Sequence, residues 1–232
     1  MASPSRSRPL LISFSGMDGS GKSTQIEALR SSLEQSGQRV FLRAFWDNVV
    51  AFPKWRAGFS HKFLKSDGKV GAPGKPANRN DKNNRSPYLL AGRSGLYLLD
   101  AVKLRRAIHR ARSSQADVVI FDRYIYDQLA TLPLERSWFR AYASLVLRMV
   151  PRPDVAFVLD AIPEAARERK PEYPLDFLYK YRESYLILQR MAGLTLIPAL
   201  SQDHVGEEIA NHVRKTVQGG GMADKSLTHA VS

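Results

Sequence analysis

The sequence predicts an α/β fold built on a parallel sheet with helices on both faces. Two observations predict it. Short apolar runs alternate along the chain with segments whose apolar residues fall at helical spacing, the pattern of βαβ units. One of those runs, Asp117-Val-Val-Ile-Phe121, is continuously apolar after its leading Asp, as in a strand covered on both sides. The length, 232 residues with 44% hydrophobic and 25% charged, suits one globular domain with its own core.

Leu10 to Phe14 reads as the first strand, a buried run ending in Ser-Gly. From Lys22 to Gln35, Ile26, Leu29 and Leu33 share one helical face, and Gly37 stands where a helix ends. Arg39 to Phe45 is the second strand. The stretch 59–87 has no hydrophobic period and is crowded with Gly, Pro, Asn and Lys, so a basic loop is expected there. A helix from about Tyr88 to Arg112 places Tyr97, Ala101, Leu104 and Ile108 on one face. After the Asp117–Phe121 strand, Trp138, Tyr142, Leu145 and Met149 mark a helix closed by Pro151. Asp154 to Leu159 and Leu194 to Ile197 are the remaining strands, five in all, with helices near Glu164–Glu168, Leu175–Met191 and Asp203–Val217. Residues 1–9 and 218–232 are expected to be disordered tails around a single domain of residues 10–217.

Between the first strand and the first helix stands Gly16-Met-Asp-Gly-Ser-Gly21-Lys22-Ser23-Thr24, which is G-x-x-x-x-G-K-[ST], the P-loop. Its glycines turn successive backbone N–H groups inward as an anion nest at the positive end of the following helix. Gly16, Asp18, Gly19, Ser20, Gly21, Lys22, Ser23 and Thr24 are therefore the expected ATP-binding residues, with Lys22 reaching the β- and γ-phosphates. The Ser23 hydroxyl is the expected ligand for Mg²⁺. Asp122, at the end of the Val118–Phe121 strand, is where that ion needs a second anchor. The planar fork of Arg123 suits phosphate oxygens; the plainer alternative is a structural ion pair with Asp122.

Composition narrows the rest. With no cysteine, disulfide scaffolds, thiolate metal sites and Cys nucleophiles are excluded. The five histidines show no metal-ligand spacing. The apolar run behind the basic N-terminus is too short for a signal peptide, and no stretch approaches the ~18 apolar residues of a membrane helix, so a cytoplasmic protein without membrane contact is expected. The formal charge is +13, and Phe52 to Arg93 holds ten Lys/Arg against two Asp, a net +8. Such a surface favours phosphorylated ligands or nucleic acid, or simply keeps the protein soluble.

The run FSGMDGSGKSTQIEALRSSLEQSGQRVFLRAF resembles the opening of a thymidylate kinase, FDRY resembles that family's acceptor-binding element, and PRPDVAFVLDAIPEAARERK is similar to its strand and lid entry. Phe177, Arg182 and Tyr185 lie beyond at similar spacing. The resemblance covers about 160 residues and implies the P-loop NTPase fold in its nucleoside-monophosphate-kinase form, a five-stranded parallel sheet with a mobile lid. It implies ATP and Mg²⁺ as cofactors and a phosphorylated small-molecule acceptor, dTMP by default. Asp18, Arg43, Arg123, Tyr124, Tyr97 and Asp100 would face that acceptor, and Lys22, Arg123, Arg167 and Arg169 would be the catalytic set. The chain departs from the family after Arg43, where Ala-Phe-Trp-Asp-Asn replaces the usual Glu-Pro and glycines. It departs again at Ala101, where the family places a polar base reader.

Three functions stay open at this level: a dTMP kinase, a relative with a changed acceptor (another nucleotide, a nucleoside or a sugar phosphate), and a nucleotide-switched nucleic-acid-binding protein. The arginines favour a kinase, since a pure switch needs no acceptor clamp. The aromatics of the basic loop (Phe59, Phe63, Tyr88) are not spaced as a stacking platform. Oligomeric state, a homodimer included, is not legible in the residues.

Overall fold

A computed structural model describes residues 8–50 and 87–228. The elements are β1 (Leu10–Ser15), α1 (Lys22–Gln35), β2 (Val40–Ala44), α2 (Phe45–Asn48), α3 (Pro87–Arg112), β3 (Val118–Asp122), α4 (Ile125–Leu129), α5 (Ser137–Met149), β4 (Val155–Leu159), α6 (Pro163–Arg169), α7 (Leu175–Ala192), β5 (Thr195–Ile197) and α8 (Gln202–Thr228). All five strands are parallel, in the order β2-β3-β1-β4-β5. The expected α/β fold is the observed one.

Alternation along β1 divides the core. Leu10, Ile12 and Phe14 face one layer, where Ile26 and Leu29 of α1 and Val205, Ile209 and Val213 of α8 cover them. Leu11 faces the other layer, packed with Tyr97, Ala101, Leu104 and Ile108 of α3 and with residues of α4, α5 and α7. The α3 face expected from spacing is thus the face that is buried. Ser13 and Ser15 lie on the same side as Leu11 and are fully buried, so β1 carries polar atoms into that layer. At the sheet edge, β2 is half open, with Phe41 and Leu42 exposed.

Four expectations are adjusted. The β2 strand stops at Ala44, because Phe45 turns inward, fully buried, as the first residue of α2. The described chain begins before Leu10: Pro9 is buried, and the Arg8 guanidinium donates to Asp154 at 2.9 Å. The last helix does not stop at Val217 but runs to Thr228, and Met222, Ala223, Lys225 and Leu227 beyond the Gly triplet all have good helix propensity. The short helix α4 is additional, since five residues are too few to show a period. The expected basic loop falls outside the described residues except for Pro87, as do residues 1–7 and 229–232.

Candidate active site

The loop after β1 turns on glycines with φ of 142° at Gly16, 84° at Gly19 and 86° at Gly21, a region side chains avoid. At two of them space is also closed. A Cβ on Gly16 would meet the Leu159 carbonyl oxygen at 2.5 Å, and one on Gly19 would meet the Ala166 carbonyl oxygen at 2.5 Å. The loop is therefore pressed between β4 and α6, and only glycine lets it pass. Gly21 hands the chain to α1, whose first turn aims free N–H groups at the cleft.

A cleft of about 620 Å³ opens over this loop. Asp18, Gly19, Ser20, Gly21, Lys22, Ser23 and Thr24 line it, and so do Asp122, Arg123 and Arg169 from other elements. Most of the expected donor-side residues are thus brought together. Lys170, Gln25 and Gln202 line the cleft as well; the Gln25 side chain donates to the Gln202 carbonyl at 2.8 Å and ties α1 to α8.

The Lys22 ammonium donates to the carbonyl oxygens of Gly16 at 2.9 Å and Met17 at 2.7 Å. Burial, and then the charge of Arg123, lower its pKa to about 7. Asp122 shifts the other way, its carboxyl raised chiefly by burial. Asp122 and the exposed Ser23 supply hard oxygen donors to one cleft, the chemistry a Mg²⁺ ion takes, so these residues fit such an ion.

Arg123 is the centre of the site. It follows β3 directly and has φ of 69°, the one non-glycine with positive φ among the described residues. Its N–H donates to the Phe14 carbonyl at 2.9 Å, which pins the turn to β1. Such a conformation costs about 1–2 kcal/mol for an L-residue, and strain of this kind collects at functional sites. The guanidinium does not pair with Asp122. It donates to Asp18 of the P-loop and, at 3.0 Å, to Asp127 of α4. Burial pulls the Arg123 pKa down, but Asp127 and Asp18 outweigh it and hold the charge firmly.

Asp127 was not among the expected residues. It is buried and accepts from four donors: Ser15 Oγ at 2.7 Å, the Tyr124 N–H at 3.1 Å, Arg123 at 3.0 Å and the Tyr185 hydroxyl at 2.8 Å. The Tyr185 hydroxyl also lies 3.0 Å from that of Tyr181, and burial raises the Tyr185 pKa well above its usual value. The signal available in the sequence was the four-residue spacing Tyr181/Tyr185, which puts two hydroxyls on one face of α7; the Arg123/Asp127 pair, of the same spacing, instead joins the turn after β3 to α4.

The remaining expected residues are placed differently. Tyr124 lies in the core and its hydroxyl donates to the Pro151 carbonyl at 2.5 Å, so it faces away from the cleft and is not an acceptor contact. Asp100 is fully buried and accepts from Gln128 Nε2 at 2.5 Å, while the Tyr97 and Thr131 hydroxyls pair at 2.8 Å. Both α3 residues are engaged inside the helix layer. Arg43 lies over the Phe41 ring, 4.6 Å from its centroid, at the end of edge strand β2. On α6, Arg169 lines the cleft, while Arg167 is half-buried and not among its lining residues. Arg182 grips Asp160 at the end of β4 through two bonds of 2.7 and 2.6 Å.

A parallel sheet in this order, a glycine loop pressed between β4 and α6, and a cleft that joins lysine and arginine over it define a P-loop kinase, a nucleotide-binding phosphotransferase. No family model matches the chain. Among curated proteins, a probable thymidylate kinase of Methanosphaera stadtmanae is 26% identical over 215 residues, 89% of this chain and 98% of the relative. Probable thymidylate kinase 1 of Saccharolobus solfataricus is 29% identical over 220 residues, 90% and 96% of the two chains. Among solved structures, thymidylate kinase from Candida albicans superposes with a TM-score of 0.60 at 17% identity, covering 90% of this chain and 94% of that one. The chain is similar to thymidylate kinases over about nine-tenths of its length, and it shares their fold.

Among the described residues no helix is long and apolar enough to cross a membrane, and no group of three or more His, Cys, Asp or Glu forms a metal cluster.

Proposed function

We propose that the protein transfers the γ-phosphate of ATP to a nucleoside monophosphate, with dTMP as the acceptor. The observation that carries this reading is the Asp18–Arg123–Asp127 array, which holds a guanidinium beside the P-loop cleft. Phosphoryl transfer needs positioning and charge more than covalent chemistry. Backbone N–H groups of residues 19–24 and Lys22 would hold the donor phosphates. Arg123, fixed by two carboxylates, would take the acceptor phosphate bidentately, exchanging its bond to Asp18 for phosphate oxygens. Arg43 stands on the neighbouring strand edge as a second acceptor-side cation. Arg169 reaches the same cleft from α6 and would neutralise charge on the group in flight; Arg167, two residues earlier on the helix, faces away from Arg169. Ser23 and Asp122 would hold Mg²⁺, which when bound supplies charge neutralisation of the phosphates. The names of the relatives support dTMP as the acceptor.

The test is ADP release across nucleoside monophosphates, nucleosides and sugar phosphates, each with ATP and Mg²⁺. The expected result is a kcat/KM for dTMP at least tenfold above every other acceptor. A sugar phosphate or nucleoside as the best substrate would overturn the acceptor and leave the kinase standing. No turnover with any acceptor would overturn the kinase itself.

A further inference from the structure

Away from the P-loop cleft, a groove of about 770 Å³ lies between the second half of α3 and the end of α5. Arg105, Arg106, Arg110, Arg112 and Arg148 line it together with His109, and no carboxylate does. Since α3 leads into β3 and α5 into β4, the groove flanks the starting ends of those strands. The P-loop leaves the finishing end of the central strand β1, at the opposite end of the parallel strands.

This is more than a solvated helix face. Of the described arginines elsewhere, Arg8, Arg30, Arg39, Arg123 and Arg182 each hold a carboxylate, while Arg43, Arg167, Arg169 and Arg190 do not; what marks the groove is that five arginines line it together. Among the described residues, none of the five groove arginines has an ion-pair partner. The Nε of Arg112 is buried and has no hydrogen-bond partner, a condition native proteins avoid unless a ligand or water completes it. Ile108, Met149, Val150 and Pro151 give the same groove an apolar floor. The chain's own residues 51–86 do not suit it as a cover, because they hold nine Lys/Arg against two Asp.

We propose that this groove binds a nucleoside polyphosphate, distinct from the one in the P-loop cleft. Guanidinium forks match phosphate oxygens bidentately, and five of them without acidic neighbours suit a chain of phosphates rather than a single one. The apolar floor takes the base and sugar. The volume lies within the range of small-molecule pockets, about 300–1,000 Å³.

Binding is measured by titration calorimetry at physiological salt on the full chain carrying Lys22→Ala, which weakens the P-loop site, with ATP and inorganic tripolyphosphate as probes. The expected result is one equivalent of ATP, bound more tightly than tripolyphosphate. The added pair Arg110→Glu and Arg148→Glu should weaken it at least 30-fold without changing the melting temperature, since both side chains are exposed. The pair Arg105→Glu and Arg106→Glu serves as a second variant should the first misfold. Binding unchanged by both reversals overturns the proposal. So does a single-stranded DNA 20-mer that binds more tightly than ATP and displaces it, which makes the groove a nucleic-acid contact. A dimer in sedimentation that the reversals dissociate, with no ATP bound in the groove, makes it a self-association surface and equally overturns it.

Discussion

Lys22 and Asp127 show how burial sets the chemistry of single residues in this site. A lysine whose pKa is lowered to about 7 by burial is charged in the unfolded chain and half neutral in the folded one at that pH. Its burial therefore costs stability below about pH 7, and the cost is relieved as pH climbs toward the unfolded value of 10.5. Donor phosphates favour the ammonium and raise its pKa, so ATP binding above pH 7 should take up a proton. Calorimetry at pH 8 in buffers of different ionisation heat should show uptake approaching one proton, and Lys22→Met should show none. Equal uptake in both would place the proton elsewhere. Asp127 sits against Arg123 with every acceptor position engaged. Asp127→Ala leaves that arginine short of a partner and should lower the unfolding free energy by about 3–5 kcal/mol, read from urea denaturation. It should also raise the acceptor KM, which a purely structural carboxylate would not do.

At the scale of elements, the P-loop and α6 are fitted to each other through Gly19. A methyl group there meets the Ala166 backbone, and the φ of 84° disfavours it further. Gly19→Ala should push α6 outward and carry Arg169 with it. Misplacement of a catalytic group by about 1 Å costs up to 100-fold, so kcat should fall by about that factor while the protein stays folded. Wild-type kcat in this variant would mean that α6 takes no part in transfer. The strands and long helices were legible because their burial pattern is local: the apolar run of β3 and the α3 stripe Tyr97, Ala101, Leu104 and Ile108 are seen in order along the chain. Asp127 was not legible, because two of its donors, Ser15 of β1 and Tyr185 of α7, are 112 and 58 residues away in sequence. Tyr124 was misread for a related reason. It follows Arg123 directly, but the left-handed turn at Arg123 sends the two side chains to opposite sides, one to the cleft and one to the core.

For the whole molecule, the sheet divides labour between its two covers. One layer, α1 with α8, is apolar against Leu10, Ile12 and Phe14, and it seats the P-loop helix. The other brings Ser15, Asp127 and Tyr185 together under Arg123, so that guanidinium rests on a buried polar network. On the proposed function, this arrangement would make Arg123 a clamp for the acceptor phosphate, held in place from within the fold. The most direct test is steady-state kinetics of Arg123→Ala with both substrates varied. Loss of one partner from a buried charged pair costs about 2–5 kcal/mol, so the acceptor KM should rise at least about 30-fold while the ATP KM stays within about threefold. Equal changes in the two KM values, or none in either, would show that Arg123 only braces the fold and would contradict the account.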